Sequence, residues 1–289
     1  MIRLKDLNFQ YKGAPGFALI DLSLEIAEGE FVGIIGPSGA GKSTLTYVLN
    51  GVVPHYYGGD FYGHAEVGGL DTIDAGPARL SQIVGSVFQD IDGQMVASIV
   101  EDELLFGLEN FGVPRAEIEE RLQTSLDALG IASLRHRAIA SLSGGQKQKV
   151  AIAAILALRP KVLVLDEPTG ELDPRSSRSV FEMLQKLNRA FGMTIVVVEQ
   201  KIMLLCEYAK RLVVMDKGKV LLDGAVRDVI QNIEALTDAG VNAPRVASLA
   251  HELKARGLYD GPLPVSVPEA ERMVRRCFHD RVSACLLRL

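Results

Sequence analysis

A glycine-rich segment between residues 36 and 44 has the residue types and spacing of a phosphate-binding loop. It fits the pattern G-x-x-x-x-G-K-[ST] and comprises Gly36, Pro37, Ser38, Gly39, Ala40, Gly41, Lys42, Ser43 and Thr44. Glycines permit a tight turn whose backbone N–H groups point at a β-phosphate. We expect Lys42 to add a full positive charge toward the β- and γ-phosphates and Ser43 to place its hydroxyl on Mg²⁺.

Two carboxylates follow a second apolar run. Residues 162–165 are Val and Leu only, and Asp166, Glu167 and Pro168 come next. Carboxylates at the carboxyl end of a parallel strand lie in the crevice where open α/β sheets bind ligands. We expect Asp166 to be a magnesium partner and Glu167 to orient or deprotonate a water beside the γ-phosphate. The alternative for Glu167 is a carboxylate at a helix N-terminus.

A third motif precedes this second run. Leu142 is followed by a segment that predicts the N-terminus of a helix and comprises Ser143, Gly144, Gly145 and Gln146. A helix N-terminus is a second anion site in the same chain. One nucleotide cannot easily use both anion sites of one subunit. The arrangement indicates two copies placed head to tail, each offering this helix end to the γ-phosphate held by the other.

The elements that must position these residues are of the α/β type. Three short apolar runs, residues 31–35, 162–165 and 194–198, predict strands buried on both faces of a parallel sheet. Stretches with helical period lie between them, at residues 42–49, 116–129 and 175–191. Residues 89–158 predict an inserted helical subdomain. From residue 226 the pattern predicts a separate C-terminal helical module, residues 226–289, with later helices around 247–255 and 269–278.

Composition excludes several classes of protein. The formal net charge of −5 argues against the broad basic face of a nucleic-acid binder. The longest apolar run has 9 residues, Val150–Leu158, whereas a spanning helix needs about 20. The N-terminus lacks the pattern of a secretory signal, so we expect a cytoplasmic protein. Three cysteines without CxxC spacing, at positions 206, 277 and 285, indicate neither a disulfide framework nor a zinc site.

The order of these motifs over residues 1–225 resembles the ATP-binding-cassette (ABC) ATPases. The resemblance implies that ATP and Mg²⁺ are the cofactors and that Tyr11 stacks on adenine. It also implies that Gln89 links Mg²⁺ and water to a transport partner, so that Ser43, Gln89 and Asp166 serve as magnesium ligands. Residues 170–173, the dimer loop, would contact a second subunit with Asp173 as its characteristic residue. The alternatives for Tyr11 and Gln89 are an ordinary packed and an ordinary surface residue.

Three further regions resemble the ATPases of energy-coupling-factor (ECF) importers of vitamins and transition metals: residues 53–71, residues 89–114 and the C-terminal module. The resemblance implies a P-loop NTPase core with a mostly parallel sheet, a helical subdomain and a small antiparallel β region. It also implies three partners, namely a second ABC ATPase that closes on ATP, an integral membrane scaffold subunit and a substrate-binding membrane subunit. The chain would then lie at the cytoplasmic face of the membrane.

An acidic cluster falls where the scaffold subunit of such importers docks. Glu101, Asp102 and Glu103 would face an arginine of the scaffold's coupling helix in a groove after Gln89, where they would supply charge-assisted hydrogen bonds. The alternative is an ordinary solvated helix face.

One segment departs from the ABC pattern. The strand at residues 194–198 should end in a switch histidine, but Gln200 occupies that position, between Glu199 and Lys201. A glutamine donates a neutral hydrogen bond and carries neither a proton nor a positive charge to the γ-phosphate. Either Gln200 suffices beside the catalytic residues Lys42 and Glu167, or the chain is an impaired ATP-binding member of a heterodimer.

A different class of ABC ATPase works in solution on ribosomes or DNA. Those proteins usually carry two cassettes or a long coiled-coil insertion. This chain has one phosphate loop and one signature segment, residues 143–146. The acidic net charge also argues against a nucleic-acid partner.

Overall fold

Two β-sheets form the framework of the chain, in a computed structural model that describes residues 1–286 and the side chains of residues 1–277. Their strands are β1 (Ile2–Tyr11), β2 (Leu19–Ile26), β3 (Phe31–Ile35), β4 (Gly59–Val67), β5 (Leu70–Asp71), β6 (Val84–Val87), β7 (Val162–Asp166), β8 (Thr194–Val198), β9 (Arg211–Asp216) and β10 (Lys219–Ala225). The larger sheet has the order β10-β9-β3-β8-β7-β6, and the smaller has the order β2-β1-β4-β5.

The larger sheet is parallel except at one edge. Strands β9, β3, β8, β7 and β6 run parallel to their neighbours, and β10 pairs antiparallel with β9. Every residue of β3, β7 and β8 is buried. A strand with both faces covered can be apolar throughout. For this reason the uninterrupted apolar runs predicted these three strands correctly. The smaller sheet is the antiparallel β region that the resemblance implied.

Helices cover both faces of the larger sheet, and within the described residues four further helices come after its last strand in the sequence. They are α1 (Lys42–Leu49), α2 (Val52–His55), α3 (Pro77–Leu80), α4 (Ile91–Gln94), α5 (Val100–Asn110), α6 (Arg115–Ala128), α7 (Gly144–Ala157), α8 (Pro174–Phe191), α9 (Ile202–Tyr208), α10 (Val226–Gln231), α11 (Ile233–Asp238), α12 (Arg245–Ala255) and α13 (Val267–Leu286). Two 3₁₀ turns, Ala132–Leu134 and Ile139–Ser141, precede α7. The helices predicted at residues 42–49, 116–129 and 175–191 correspond to α1, α6 and α8.

The region between residues 89 and 158 is helical, as predicted. Helices α4 to α7 pack around buried apolar side chains that include Leu104, Leu122 and Val150. The apolar run at residues 150–158 lies mostly in α7, where it packs against α5 and α6. This arrangement carries the signature segment on one end of α7, beside the carboxyl edge of the sheet.

The C-terminal helices pack on the cassette. The predicted apolar face from Val226 to Leu236 is buried, but a non-helical Asn232 divides it into α10 and α11. Buried residues from α10 to α13 belong to the same apolar cluster as Phe31 of β3 and Leu163 of β7. The proposed boundary at residue 225 therefore lies within a continuous core.

The apolar surplus of the sequence lies in these cores. None of the described helices combines the length and the hydrophobicity that a membrane crossing needs. Cys206 is buried, and burial raises the pKa of its thiol to about 12. Cys277 is partly buried, and the side chain of Cys285 lies outside the described residues.

Candidate functional site

The phosphate loop lies between β3 and α1, where the sequence predicted it. Gly41 precedes α1 with φ of 93°, and a Cβ at this position would lie 2.5 Å from the carbonyl oxygen of Ala18. Only glycine fits there without strain. The Lys42 Nζ donates to the carbonyl oxygens of Gly36 and Pro37, each at 2.8 Å. Burial lowers the pKa of this ammonium, while the nearby carboxylate of Glu167 acts in the opposite direction.

The carboxylate of Asp166 lies at the end of β7 against α1. It is buried, and desolvation raises its pKa, while the nearby Ser43 hydroxyl and the Lys42 ammonium oppose this shift. The two side chains that the sequence assigned to magnesium on the loop and on the second strand are therefore neighbours.

The donor set fits a magnesium ion that is shared with a nucleotide. Within the described residues, no group of three or more His, Cys, Asp and Glu side chains could hold a metal ion. Mg²⁺ is commonly held by one or two carboxylates and takes its remaining oxygens from substrate phosphates and water. Asp166 and Ser43 provide such a partial set.

Glu167 is held by two glutamines. Its Oε1 accepts from Nε2 of Gln200 at 2.7 Å, and its Oε2 accepts from Nε2 of Gln89 at 3.3 Å. The backbone of Glu167 has φ of 49°, a left-handed conformation that is uncommon for a non-glycine residue. Its N–H donates to the carbonyl oxygen of Val198 at the end of β8. The carboxylate is thus fixed in direction by residues from two separate segments, one after β6 and one after β8.

The signature segment begins α7, as predicted. Ser143 is the N-cap, and its hydroxyl accepts from the N–H of Gln146 at 3.4 Å. The Gln146 side chain accepts in turn from the N–H of Ser143 at 2.9 Å, which completes a capping box. Both Ser143 and Gly144 are exposed, so this helix end faces solvent in the single chain.

The dimer loop leads into α8. Asp173 caps α8 by accepting from the N–H groups of Arg175 and Ser176, at 2.9 and 3.1 Å. The hydrogen bonds from Ser176 lower the pKa of the Asp173 carboxyl. Ser176 lies close to Gly145, so the start of α8 and the signature segment adjoin each other.

A cavity of about 480 Å³ brings five of the predicted site residues together. Its lining includes Ser43, Gln89, Asp166, Glu167 and Gly144. Residues from the phosphate loop, the carboxyl edge of the sheet and the start of the signature helix thus share one space. The other predicted site residues lie outside its lining, namely Tyr11, residues 36–42, Thr44, the 101–103 cluster, Ser143, Gly145, Gln146, Asp173 and Gln200.

Tyr11 reaches the end of the phosphate loop. Its hydroxyl lies 3.0 Å from Oγ1 of Thr44, and its ring makes an edge contact with Phe9. Burial raises the pKa of the Tyr11 hydroxyl. Tyr57 approaches the Tyr11 ring with centroids 6.4 Å apart. The half-buried ring therefore lies beside the loop, and the assignment to adenine remains a prediction.

Two members of the acidic cluster are already engaged within the chain. The buried carboxylate of Glu103 accepts from the N–H groups of Val96 and Ala97, at 2.9 and 2.7 Å. Glu101 pairs with Arg135 at 2.6 Å and with His136 at 2.9 Å. Asp102 is exposed. Of the three side chains, Asp102 is therefore the one that remains available to a partner.

Sequence reasoning missed the roles of three residues near the site. Glu199 is 1% exposed and accepts four hydrogen bonds, two of them from Thr169. Lys201 donates to the same loop. Gln148 lines the cavity, and its buried Nε2 has no hydrogen-bond partner in the described part of the chain. The signal for Glu199 and Lys201 was present as two opposite charges directly after an apolar strand, an unusual place for a buried carboxylate.

Comparison with known proteins gives a consistent result. Residues 19–170 match a family model described as ABC transporter. The energy-coupling factor transporter ATP-binding protein EcfA1 of Clostridium perfringens is 41% identical over 263 residues, covering 89% of this chain and 92% of the relative.

Solved structures agree with the sequence matches. The structure of cbiO1 from Clostridium perfringens, described as part of the ABC transporter complex cbiONQ, has a TM-score of 0.73 at 30% identity and covers 86% of this chain and 98% of that chain. The ATP-binding cassette MJ0796, in a dimeric post-hydrolysis state bound to ADP and Pi, has a TM-score of 0.68 at 28% identity, covering 78% and 99% of the two chains.

Proposed function

The chain belongs to the ABC transporter ATPase family, and from that premise we propose that it is the ATP-hydrolysing subunit of an ECF-type importer for a vitamin or a transition metal. The EcfA1 relative and the cbiO1 structure support the ECF assignment. The observation that supports ATP hydrolysis is the position of the Glu167 carboxylate. Two side-chain amides hold it at the edge of the cavity described above. The transported substrate would contact a membrane subunit and not this chain.

In this proposal the phosphate loop and the end of β7 bind ATP and Mg²⁺. The backbone N–H groups of the loop and Lys42 hold the phosphates, and Tyr11 stacks on the adenine. Ser43, Asp166 and Gln89 hold Mg²⁺, which neutralises charge on the phosphate oxygens when bound. The Lys42 ammonium exchanges its two contacts with loop carbonyl oxygens for contacts with phosphate, a stronger charge-assisted interaction.

Glu167 is the general base of the proposed reaction. Its carboxylate takes a proton from a water positioned for attack on the γ-phosphate. Gln200 and Gln89 fix the direction of the carboxylate, so little orientation has to be gained during the reaction. A neutral amide at position 200 performs this positioning without carrying a proton itself.

The test is the isosteric change Glu167→Gln in the purified protein. We expect ATP turnover to fall by about 100-fold or more, the usual contribution of a positioned general base, while ATP binding is retained. Glu182→Gln, on the exposed face of α8, is the matched control and should hydrolyse ATP at the wild-type rate. Equal turnover by wild type and Glu167→Gln would contradict the assignment of the base.

A second candidate role is an impaired member of a heterodimer. The observation that favours it is Gln200 at the switch position, because a neutral amide leaves the developing γ-phosphate charge with less compensation. In that case the signature segment of this chain, residues 143–146, would contact the nucleotide held by a partner subunit that has a complete site. The change Gln200→His separates the two roles, since it should raise turnover of the isolated chain only if the wild-type site is impaired.

We also propose the docking surface for the membrane scaffold. Asp102 and Phe106 have the spacing i and i+4 that places them on one face of α5, and Ile99 is the extended residue that immediately precedes the helix. All three are exposed, and Ile99 and Phe106 are 38% and 48% exposed. An arginine of the scaffold would pair with Asp102 between the two apolar side chains. The chain would thereby sit at the cytoplasmic face of the membrane without crossing it.

The change Asp102→Lys tests this surface. It should prevent co-purification with the scaffold subunit and leave the ATP turnover of the isolated chain unchanged. Asp127→Lys, at another exposed carboxylate of the helical subdomain, is the control and should leave co-purification intact. Retention of the scaffold by the Asp102 variant would place the docking surface elsewhere.

A further inference from the structure

We propose that Lys201 is a positioning residue that fixes the 168–173 segment, which includes the dimer loop, to the end of β8. This inference deepens the proposed function, because it concerns hydrolysis by the closed dimer. It starts from the position where the chain departs from the ABC pattern, the sequence Glu199-Gln200-Lys201.

The Lys201 ammonium makes three hydrogen bonds to one segment of the chain. It donates to the carbonyl oxygen of Thr169, to that of Leu172 at 3.1 Å and to Oγ of Ser177 at 3.1 Å. An ammonium has three N–H donors, so all of them are used. Two of the acceptors lie in the 168–173 segment, and the third lies in the first turns of α8.

Glu199 holds the same segment from the opposite side. Its Oε1 accepts from the N–H of Thr169 at 2.9 Å and from the Thr169 hydroxyl. Its Oε2 accepts from the backbone N–H groups of Gln200 and Lys201, at 3.1 and 3.3 Å. Thr169 is fully buried. Its N–H and hydroxyl therefore donate to the Glu199 carboxylate, and its carbonyl oxygen accepts from the Lys201 ammonium.

Gln200 lies between these two anchors and donates to Glu167. The general base, the switch position and the dimer loop are consequently joined through three successive residues. Because the three hydrogen bonds of the Lys201 ammonium go to Thr169, Leu172 and Ser177, and not to Glu167 or the phosphate loop, its effect on the reaction passes through the geometry of the loop that it holds. Loss of these bonds should loosen the dimer loop and leave the binding of ATP to a single chain intact.

The test compares Lys201→Met with Lys201→Arg. Met keeps the length of the side chain and removes the charge and all three donors, whereas Arg keeps the charge and donors to the carbonyls. We expect Lys201→Met to lower kcat for ATP by about 10-fold, the order of effect that misplacement of a site residue produces, with KM unchanged within about 2-fold. Lys201→Arg should recover most of the lost kcat. Lys186→Met, an exposed lysine of α8, is the control.

A second measurement does not depend on turnover. In the Glu167→Gln background, which should retain ATP without hydrolysing it, Lys201→Met should weaken ATP-dependent dimerisation measured by size-exclusion chromatography with light scattering. Unchanged kcat and unchanged dimerisation would overturn the role of Lys201. An equal loss of kcat in Lys201→Met and Lys201→Arg, with both unfolding temperatures lowered alike, would also overturn it in favour of a purely structural role. Absence of turnover in the wild type would instead count against the proposed function.

Discussion

At the scale of single residues, the site contains a buried carboxylate, Asp166, whose ionised form is unfavourable for the fold. The Asp166 carboxylate is buried beside Glu167, and desolvation raises its pKa above the value for the unfolded chain. A carboxyl with a raised pKa in the folded state stabilises the fold only while it is protonated, and that contribution is lost as the pH rises through the folded pKa. At any pH above the folded pKa, the ionised Asp166 therefore costs the fold stability.

The change Asp166→Asn should raise the unfolding temperature at pH 7 while it abolishes ATP hydrolysis. The amide removes the buried charge and keeps an acceptor oxygen next to Ser43. The stabilisation relative to wild type should shrink as the pH falls through the raised pKa of the folded state toward the ordinary range of an aspartate, because the wild-type carboxyl then becomes neutral too. Thermal unfolding of both proteins at pH 7 and near pH 4 measures the difference, and a gain that grows toward low pH would contradict the assignment.

Glu199 presents the opposite case, a buried carboxylate with all its hydrogen bonds made. In Glu199→Gln the side chain keeps its shape, but its NH₂ group faces N–H donors that had an acceptor before. Unsatisfied buried donors cost about 1–3 kcal/mol each, so we expect a loss of that order in the free energy of unfolding. Denaturant titration measures it. Glu182→Gln serves as the exposed control, and an equally small change in both would show that the four bonds contribute little.

At the scale of elements, the signature helix shows how one residue serves stability and function together. Ser143 caps α7 and forms a reciprocal pair with Gln146, so the chain satisfies the helix end internally before any anion binds. The long 3.4 Å contact from the Gln146 N–H marks a weak cap, which an anion can replace.

We expect Ser143→Ala to lower the free energy of unfolding by about 0.5–1 kcal/mol, the lower part of the range for loss of an N-cap. ATP-dependent dimerisation should fall much more, because the partner's γ-phosphate would lose a hydroxyl donor. Denaturant titration and light scattering separate the two effects. Ser143→Thr keeps the hydroxyl and should retain both stability and dimerisation, whereas equal loss in both variants would show that the hydroxyl is not the group involved.

Local patterns predicted the elements and the motif residues because their causes are local. The phosphate loop, the carboxylates after β7 and the cap of α7 each depend on residues within a few positions of one another. The partners of Glu101 and Lys201 could not be predicted in this way. Arg135 reaches Glu101 from 34 positions away, and Thr169 and Lys201 meet across 32 positions, so only the packing of α5 and β8 against their neighbours decides these contacts.

At the scale of the whole molecule, the C-terminal helices and the cassette share one apolar cluster. Leu236 of α11 is fully buried in the same cluster as Phe31 and Leu163 of the sheet. Elements that share a core should unfold together, because each loses buried apolar contacts when the other opens. The boundary that the sequence predicts at residue 225 is thus a change of pattern along the chain, and it does not divide two separate cores.

The change Leu236→Ala tests this cooperativity. Loss of a fully buried leucine side chain should lower the free energy of unfolding by about 2–5 kcal/mol. In a calorimetric scan, we expect the single main transition to move to lower temperature, and the loss of nucleotide binding by the cassette to move with it. Leu249→Ala, at a leucine of α12 that is 45% exposed, is the matched control and should shift the transition little. If instead a separate, earlier transition emerged while nucleotide binding kept its wild-type midpoint, the C-terminal helices would fold as an independent unit. The shared cluster would then contribute nothing to the stability of the ATP site, because destabilising one side would leave the other unchanged.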